Sequence, residues 1–154
     1  MPFRIRGLAP EPFRALFALG DTELAARDIR RVVADAPRSA PCRVTLEDAV
    51  PGEELLLLPF AHHTAASPYR ASGPIYVRKA AEAAFDRAGE LPPVFRGRLL
   101  AVRAYDAHGT MRDADVADSD PIALFEKFFA DSEVQYLHVH YARRGCYSCL
   151  VERA

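Results

Sequence analysis

A chain of 154 residues, half of them apolar and 27% charged, falls in the soluble globular class. That length buries a core without the help of disulfides or a metal. Twenty basic residues against 21 acidic ones leave a net charge of -1, which argues against a general nucleic-acid binder and against polybasic membrane docking.

Charge balance says nothing about clustering, so a local basic pocket stays open. Of the basic residues only Lys79 and Lys127 are lysine, and arginine is the better bidentate binder of carboxylate and phosphate. No apolar stretch follows Met1-Pro2-Phe3-Arg4, so no secretory leader is expected. The longest apolar run, Leu55 to Ala61, is far short of the about 20 residues a spanning helix needs. Cys42, Cys146 and Cys149 are too few and too odd in number for a disulfide framework. The expectation is one domain over residues 1–154 in a reducing cytoplasm, away from membrane and nucleic acid.

In chain order, Phe3 to Leu8 alternates as a first strand. Pro10 to Leu19 carries Phe13, Leu16 and Phe17 at helical spacing, with Gly20 at the C-cap position. Asp21 can cap a short second helix over Thr22 to Arg27. Ile29 to Asp35 is strand-like, and Pro37 to Pro41 is a loop. Val50-Pro51-Gly52-Glu53 fits a type II turn. Leu55 to Phe60 is apolar without alternation and reads as a strand buried on both sides. His62 to Gly73 reads as a polar loop, Pro74 to Arg78 as a strand, and alanine-rich Lys79 to Arg87 as a helix.

The C-terminal third carries the clearest signals. Leu99 to Tyr105 and Thr110 to Val116 flank Ala107-His108-Gly109, and a three-residue hairpin loop wants glycine last. That register sets Asp106 opposite Thr110 and Arg103 opposite Asp113. Asp120 and Pro121 start a helix whose stripe is Ile122, Phe125, Phe128 and Phe129. A second hairpin, Val134 to Tyr141 and Cys146 to Glu152, turns at Arg143-Arg144-Gly145. The same rule pairs Ala142 with Cys146, Val139 with Cys149 and Leu137 with Val151. It gathers His138, His140, Cys146 and Ser148 on one face, and Leu137, Val139, Tyr141, Tyr147, Cys149 and Val151 on the other. The fold class is α+β: a mostly antiparallel sheet of about seven short strands, three or four helices packed on it, and two hairpins at the end.

Several segments together resemble a bacterial family, the domain of unknown function 1203. They are Phe3-Arg4-Ile5 with Gly7-Leu8, Pro41-Cys42-Arg43-Val44 with Leu46-Glu47-Asp48-Ala49, Ser67 through Ile75, Arg103-Ala104-Tyr105-Asp106, and Tyr136-Leu137-His138 with His140 and Arg144-Gly145-Cys146-Tyr147. The resemblance implies a stand-alone bacterial domain and no particular activity. Cys149 lies outside its pattern.

Candidate chemistry concentrates in two places. In the loop Ser67 to Pro74, hydroxyls of Ser67, Tyr69 and Ser72 accompany the donor fork of Arg70, and Gly73 lets a ligand approach the backbone. With Arg43 and His138 they form a candidate ligand-binding set for a small carboxylate or phosphate. In the last hairpin, His140 would stand diagonally from Cys146, roughly 5–8 Å away. It could take the thiol proton, making the pair a candidate catalytic dyad. Cys146-Tyr147-Ser148-Cys149 is a poor redox motif, because three strand steps put the α-carbons about 10 Å apart, beyond the about 7 Å a disulfide spans. His138-x-His140 with the cysteines imitates a zinc set, but Cys149 falls on the other face. Neither metal nor cofactor is expected. The functional expectation is a pocket for a small anion, catalytic if the dyad forms. The alternative is a non-enzymatic interaction or homo-oligomerisation module.

Overall fold

The computed structural model describes residues 2–154. It is α+β, with two antiparallel sheets. Strands β1 (Phe3–Arg6), β5 (Asp86–Ala88), β6 (Leu99–Tyr105), β7 (Met111–Asp118), β8 (Tyr136–Tyr141) and β9 (Tyr147–Arg153) form a six-stranded sheet in the order β5-β1-β9-β8-β6-β7. Strands β2 (Arg30–Val33), β3 (Glu54–His63) and β4 (Ala71–Arg78) form a three-stranded sheet with β3 central. Helices α1 (Glu11–Phe17), α2 (Asp21–Ala26) and α3 (Ile122–Phe129) complete the element list of the described residues, with a 3-10 turn at Pro93–Phe95. Among the described residues no helix is long and apolar enough to cross a membrane.

Both sheets seat their apolar side chains by the pattern of their strands. Alternation in β8 and β9 sends Leu137, Val139, Cys149 and Val151 under α3, against Phe125, Phe128 and Phe129. Phe3 meets Phe125 edge to face at 5.2 Å, the arrangement that aromatic quadrupoles favour. In β3, Leu56 and Leu58 pack with Phe13 and Leu24 of the first two helices. Leu55 points the other way, into a small cluster with Ala34, Ala40 and Ala49. A strand covered on both sides has no reason to alternate, and this one does not.

Both hairpin turns place their glycine in the left-handed region, Gly109 at φ 72° and Gly145 at φ 83°. The turn at 50–53 closes with Glu53 N donating to Val50 O at 3.0 Å. Beyond the turns the ladders depart from the expected registers. A bulge between Ala104 and Tyr105 puts Arg103 opposite Ala114, not Asp113. A second bulge between Val139 and His140 keeps Leu137↔Val151 and Val139↔Cys149 as expected, then pairs His140 with Tyr147. Tyr141 N therefore bonds Cys146 O at 2.9 Å, and Ala142 is not the partner of Cys146. Ser148 is the extra residue.

Other expectations are corrected as well. Lys79 to Arg87 is not helical. Its alanines give way to long-range contacts: Phe85 N bonds Val44 O at 2.8 Å, and Gly7 N bonds Phe85 O at 2.8 Å. Asp86 takes a bond from Arg4 Nε at 2.5 Å, and β5 then pairs with β1. Gly20 is not a C-cap. Its φ of -74° and ψ of 163° are extended, and it precedes α2. Asp21 stands inside α2 without capping it and instead meets Arg31 Nε at 3.4 Å. The polar stretch is shorter than expected, because β3 runs on through His62 and His63 while β4 already begins at Ala71.

Candidate functional site: an arginine-lined cleft

Arg43 sits on a tight excursion between Ala40 and Ala49, closed by Ala49 N to Ala40 O at 3.0 Å and Leu46 N to Cys42 O at 3.1 Å. Strand β4 and the segment just after β1 hold it in place. Arg43 N donates to Tyr76 O of β4 at 3.0 Å, and Leu8 N donates to Arg43 O at 2.8 Å. Gly7 permits the second contact. A β-carbon at residue 7 would stand 2.1 Å from Val44 O, closer than any side chain tolerates.

The Arg43 side chain then passes into the protein and is only 1% exposed. Its Nε donates to Tyr147 O at 2.7 Å, Nη1 to Pro41 O at 2.6 Å, and Nη2 to Cys146 Sγ at 3.0 Å. Its guanidinium lies over the Tyr141 ring, 5.0 Å from the centroid, with that of Arg98 at 5.3 Å from the same ring. Burial pushes the Tyr141 phenol up to about 12, so it stays neutral. Among the described residues no carboxylate lies within ion-pair distance of Arg43. A buried cation without an anion is costly unless something else supplies the charge.

A cleft of about 310 Å³ opens beside it, lined by Arg38, Arg98, Arg143, Arg144, Tyr141 and Cys146 among others. An adjoining recess of about 380 Å³ shares Arg43, Tyr76, Arg144 and Cys146 and adds Leu57 and Pro74. Five arginines face one cavity system. Asp48 answers two of them: it takes a bidentate pair from Arg98 at 2.7 and 3.0 Å and lies 3.9 Å from Arg38. Arg143 and Arg144 stand exposed at the turn. The residual charge of the lining is strongly positive.

The histidines lie elsewhere. His138 and His140 share one face of β8, and the Ser148 bulge turns Tyr147 onto that face. His62 of β3 stacks on Tyr147 at 5.3 Å and meets His140 edge-on at 5.0 Å. These rings, with His63, Tyr105 and Tyr136, close the space between the two sheets. His63 is fully satisfied: its Nδ1–H donates to Tyr69 O at 2.8 Å, and Nε2 accepts from the Tyr136 hydroxyl at 2.7 Å. His140 Nδ1–H donates to Gly145 O at 2.9 Å. Its Nε2 and His138 Nδ1 are buried without partners. Burial, reinforced by the neighbouring imidazoles and Arg103, pushes His138 down to about 3. Burial likewise takes His140 to about 4, against the effect of its bond to Gly145 O. No group of three His, Cys, Asp or Glu side chains among the described residues is arranged to hold a cation.

The candidate residues thus divide. Arg43 and Cys146 come together in the cleft. Cys146 falls opposite Tyr141 rather than on the imidazole face, and His140 lines neither cavity on which Cys146 opens. The diagonal His140–Cys146 contact rested on a register the bulge replaces. Ser67 and Tyr69 are tied to the aromatic cluster instead: Ser67 Oγ donates to Gly109 O at 2.8 Å and accepts from Tyr69 N at 2.9 Å. That places their loop near His138 and apart from the arginine lining. Arg70 is exposed. Ser72 and Gly73 belong to β4 rather than to a loop.

The family model described as Protein of unknown function (DUF1203) matches residues 39–153, most of the chain. The chain belongs to the DUF1203 family. The match takes in every arginine of the cleft except Arg38. No curated protein and no solved structure matches. Sequence reading of this DUF1203 protein singled out Arg43 but missed Arg38, Arg98, Arg143 and Arg144. The one signal available was Arg143-Arg144 in a turn immediately before Cys146.

Proposed function

We propose that the cleft binds a small anionic molecule, a carboxylate or phosphate. The observation that carries this reading is the buried guanidinium of Arg43 with no carboxylate beside it. An oxyanion entering the cleft would supply the absent charge, and guanidinium forks bind such groups through charge-assisted bonds. Arg143 and Arg144 at the rim would draw the anion in, since a cleft lined by one sign of charge focuses the field. Asp48 keeps Arg98 and Arg38 from adding to an already unbalanced interior.

The test is a thermal-shift series with phosphate, phosphorylated metabolites and di- and tricarboxylates at constant ionic strength. A ligand at a hundred times its dissociation constant adds about 2.7 kcal/mol, which for a chain of this size raises Tm by roughly 5–10 °C. Arg144→Gln changes an exposed residue and should leave the unliganded Tm in place while cutting the ligand-dependent rise. The reading fails if no anion raises Tm above a chloride control, or if the rise is the same in Arg144→Gln.

A further inference from the structure

Cys42 and Cys149 are fully buried, whereas Cys146 is half-buried and lines both the cleft and the adjoining recess. Among the described residues its Sγ is the one partner of the Arg43 guanidinium that can take up a negative charge, the others being carbonyl oxygens and the neutral Tyr141 ring. A second fact is independent of the sulfur: Arg143 and Arg144, exposed on the cleft that Cys146 lines, have no carboxylate partner among the described residues. Among the described residues no imidazole lines either cavity. Thiol–disulfide exchange needs only a thiolate and an accessible disulfide.

Building on the anion-binding reading, we infer that Cys146 is a covalent reaction site for small carboxylate-bearing disulfides. The thiol releases its proton to solvent. The thiolate, held by Arg43, attacks one sulfur of the incoming disulfide. A bond forms between Cys146 Sγ and that sulfur while the original sulfur–sulfur bond breaks. Its electron pair leaves on the departing thiolate, which takes a proton from solvent. One disulfide is consumed and one is formed, so no further oxidant or reductant enters. Arg143 and Arg144 hold the carboxylates and thereby set the preference for anionic partners.

The experiment compares two chromogenic disulfides on the native full chain: dianionic dithiobis(nitrobenzoate) and uncharged dithiodipyridine. Each rate is divided by that of the same protein unfolded in urea, which cancels intrinsic reagent reactivity. One thiol should react in the native state, and Cys146→Ser should abolish it. The normalised preference for the anionic reagent should be about tenfold at low salt, the lower end of what focused fields give. It should fall toward one at high salt and in the Arg143→Gln, Arg144→Gln double variant, whose changes are at exposed positions. A normalised preference of one or below overturns the proposal, as does native labelling that survives Cys146→Ser. If anions raise Tm but the preference is one, the cleft stands and its covalent chemistry falls. If neither effect is seen, both fall.

Discussion

The histidines between the sheets make a strong prediction about acid. His138 and His140 have ring pKa values near 3 and 4 in the folded protein, both lowered chiefly by burial, against 6.5 in an unfolded chain. The unfolded state therefore binds their protons first, so stability is full above pH 6.5 and drains away as pH falls below it. By pH 5 the unfolded histidines are almost wholly protonated and the folded ones are not. Each then costs about 2 kcal/mol, roughly 4 kcal/mol for the pair, at 1.36 kcal/mol per pH unit. The result depends little on how far below pH 4.5 the folded values lie. His62 is lowered too, mainly by burial, and adds in the same direction. Against a total of about 5–15 kcal/mol for an ordinary domain, this is a large fraction. Urea unfolding from pH 7.5 down to pH 5 measures it directly, and stopping at pH 5 keeps most carboxylate titration out. Replacing both residues, as His138→Gln with His140→Gln, should flatten the slope whatever it does to absolute stability. A stability flat between pH 7 and pH 5, or NMR titration of both rings near pH 6.5, would refute the reasoning.

Two further outcomes follow from the walls of the cleft. Gly7→Ala forces a β-carbon against Val44 O, a backbone atom that cannot yield cheaply. Unfolding measurements should show a loss of about 1–3 kcal/mol, together with a weakened thermal response to anions, because the Arg43 segment is what moves. Asp48→Asn removes the bidentate partner of Arg98, where both side chains are 16% exposed. It should cost about 3 kcal/mol and at the same time tighten anion binding, since a cation is freed at the cleft. Calorimetric titration showing weaker binding would contradict that assignment.

How far the sequence could be read depended on the range of the forces involved. Gly109 and Gly145 answer a local steric demand, and the two hairpins were accordingly legible. So was the phenylalanine stripe of α3, whose spacing meets a single apolar surface. Lys79 to Arg87 was misread because alanine content is a weak local preference, and it yields to β1 pairing and to the bond between Phe85 and Val44. His62 and His63 looked like loop because imidazoles are polar, yet stacking on Tyr147 and Tyr105 gives them a place inside. The cleft was mostly hidden. Its arginines come from residues 38, 43, 98, 143 and 144, and only the completed fold brings them together.

The Ser148 bulge has a consequence for how such a chain could diversify. Residues after it keep their seats beneath α3, whereas those before it, back to Gly145, are turned over. The tip that carries two guanidiniums and a thiol thereby takes its register from the turn rather than from the ladder that seats Val139 and Cys149. Substitutions at 143, 144 and 146 could retune what the cleft accepts while the ladder behind them stays in register.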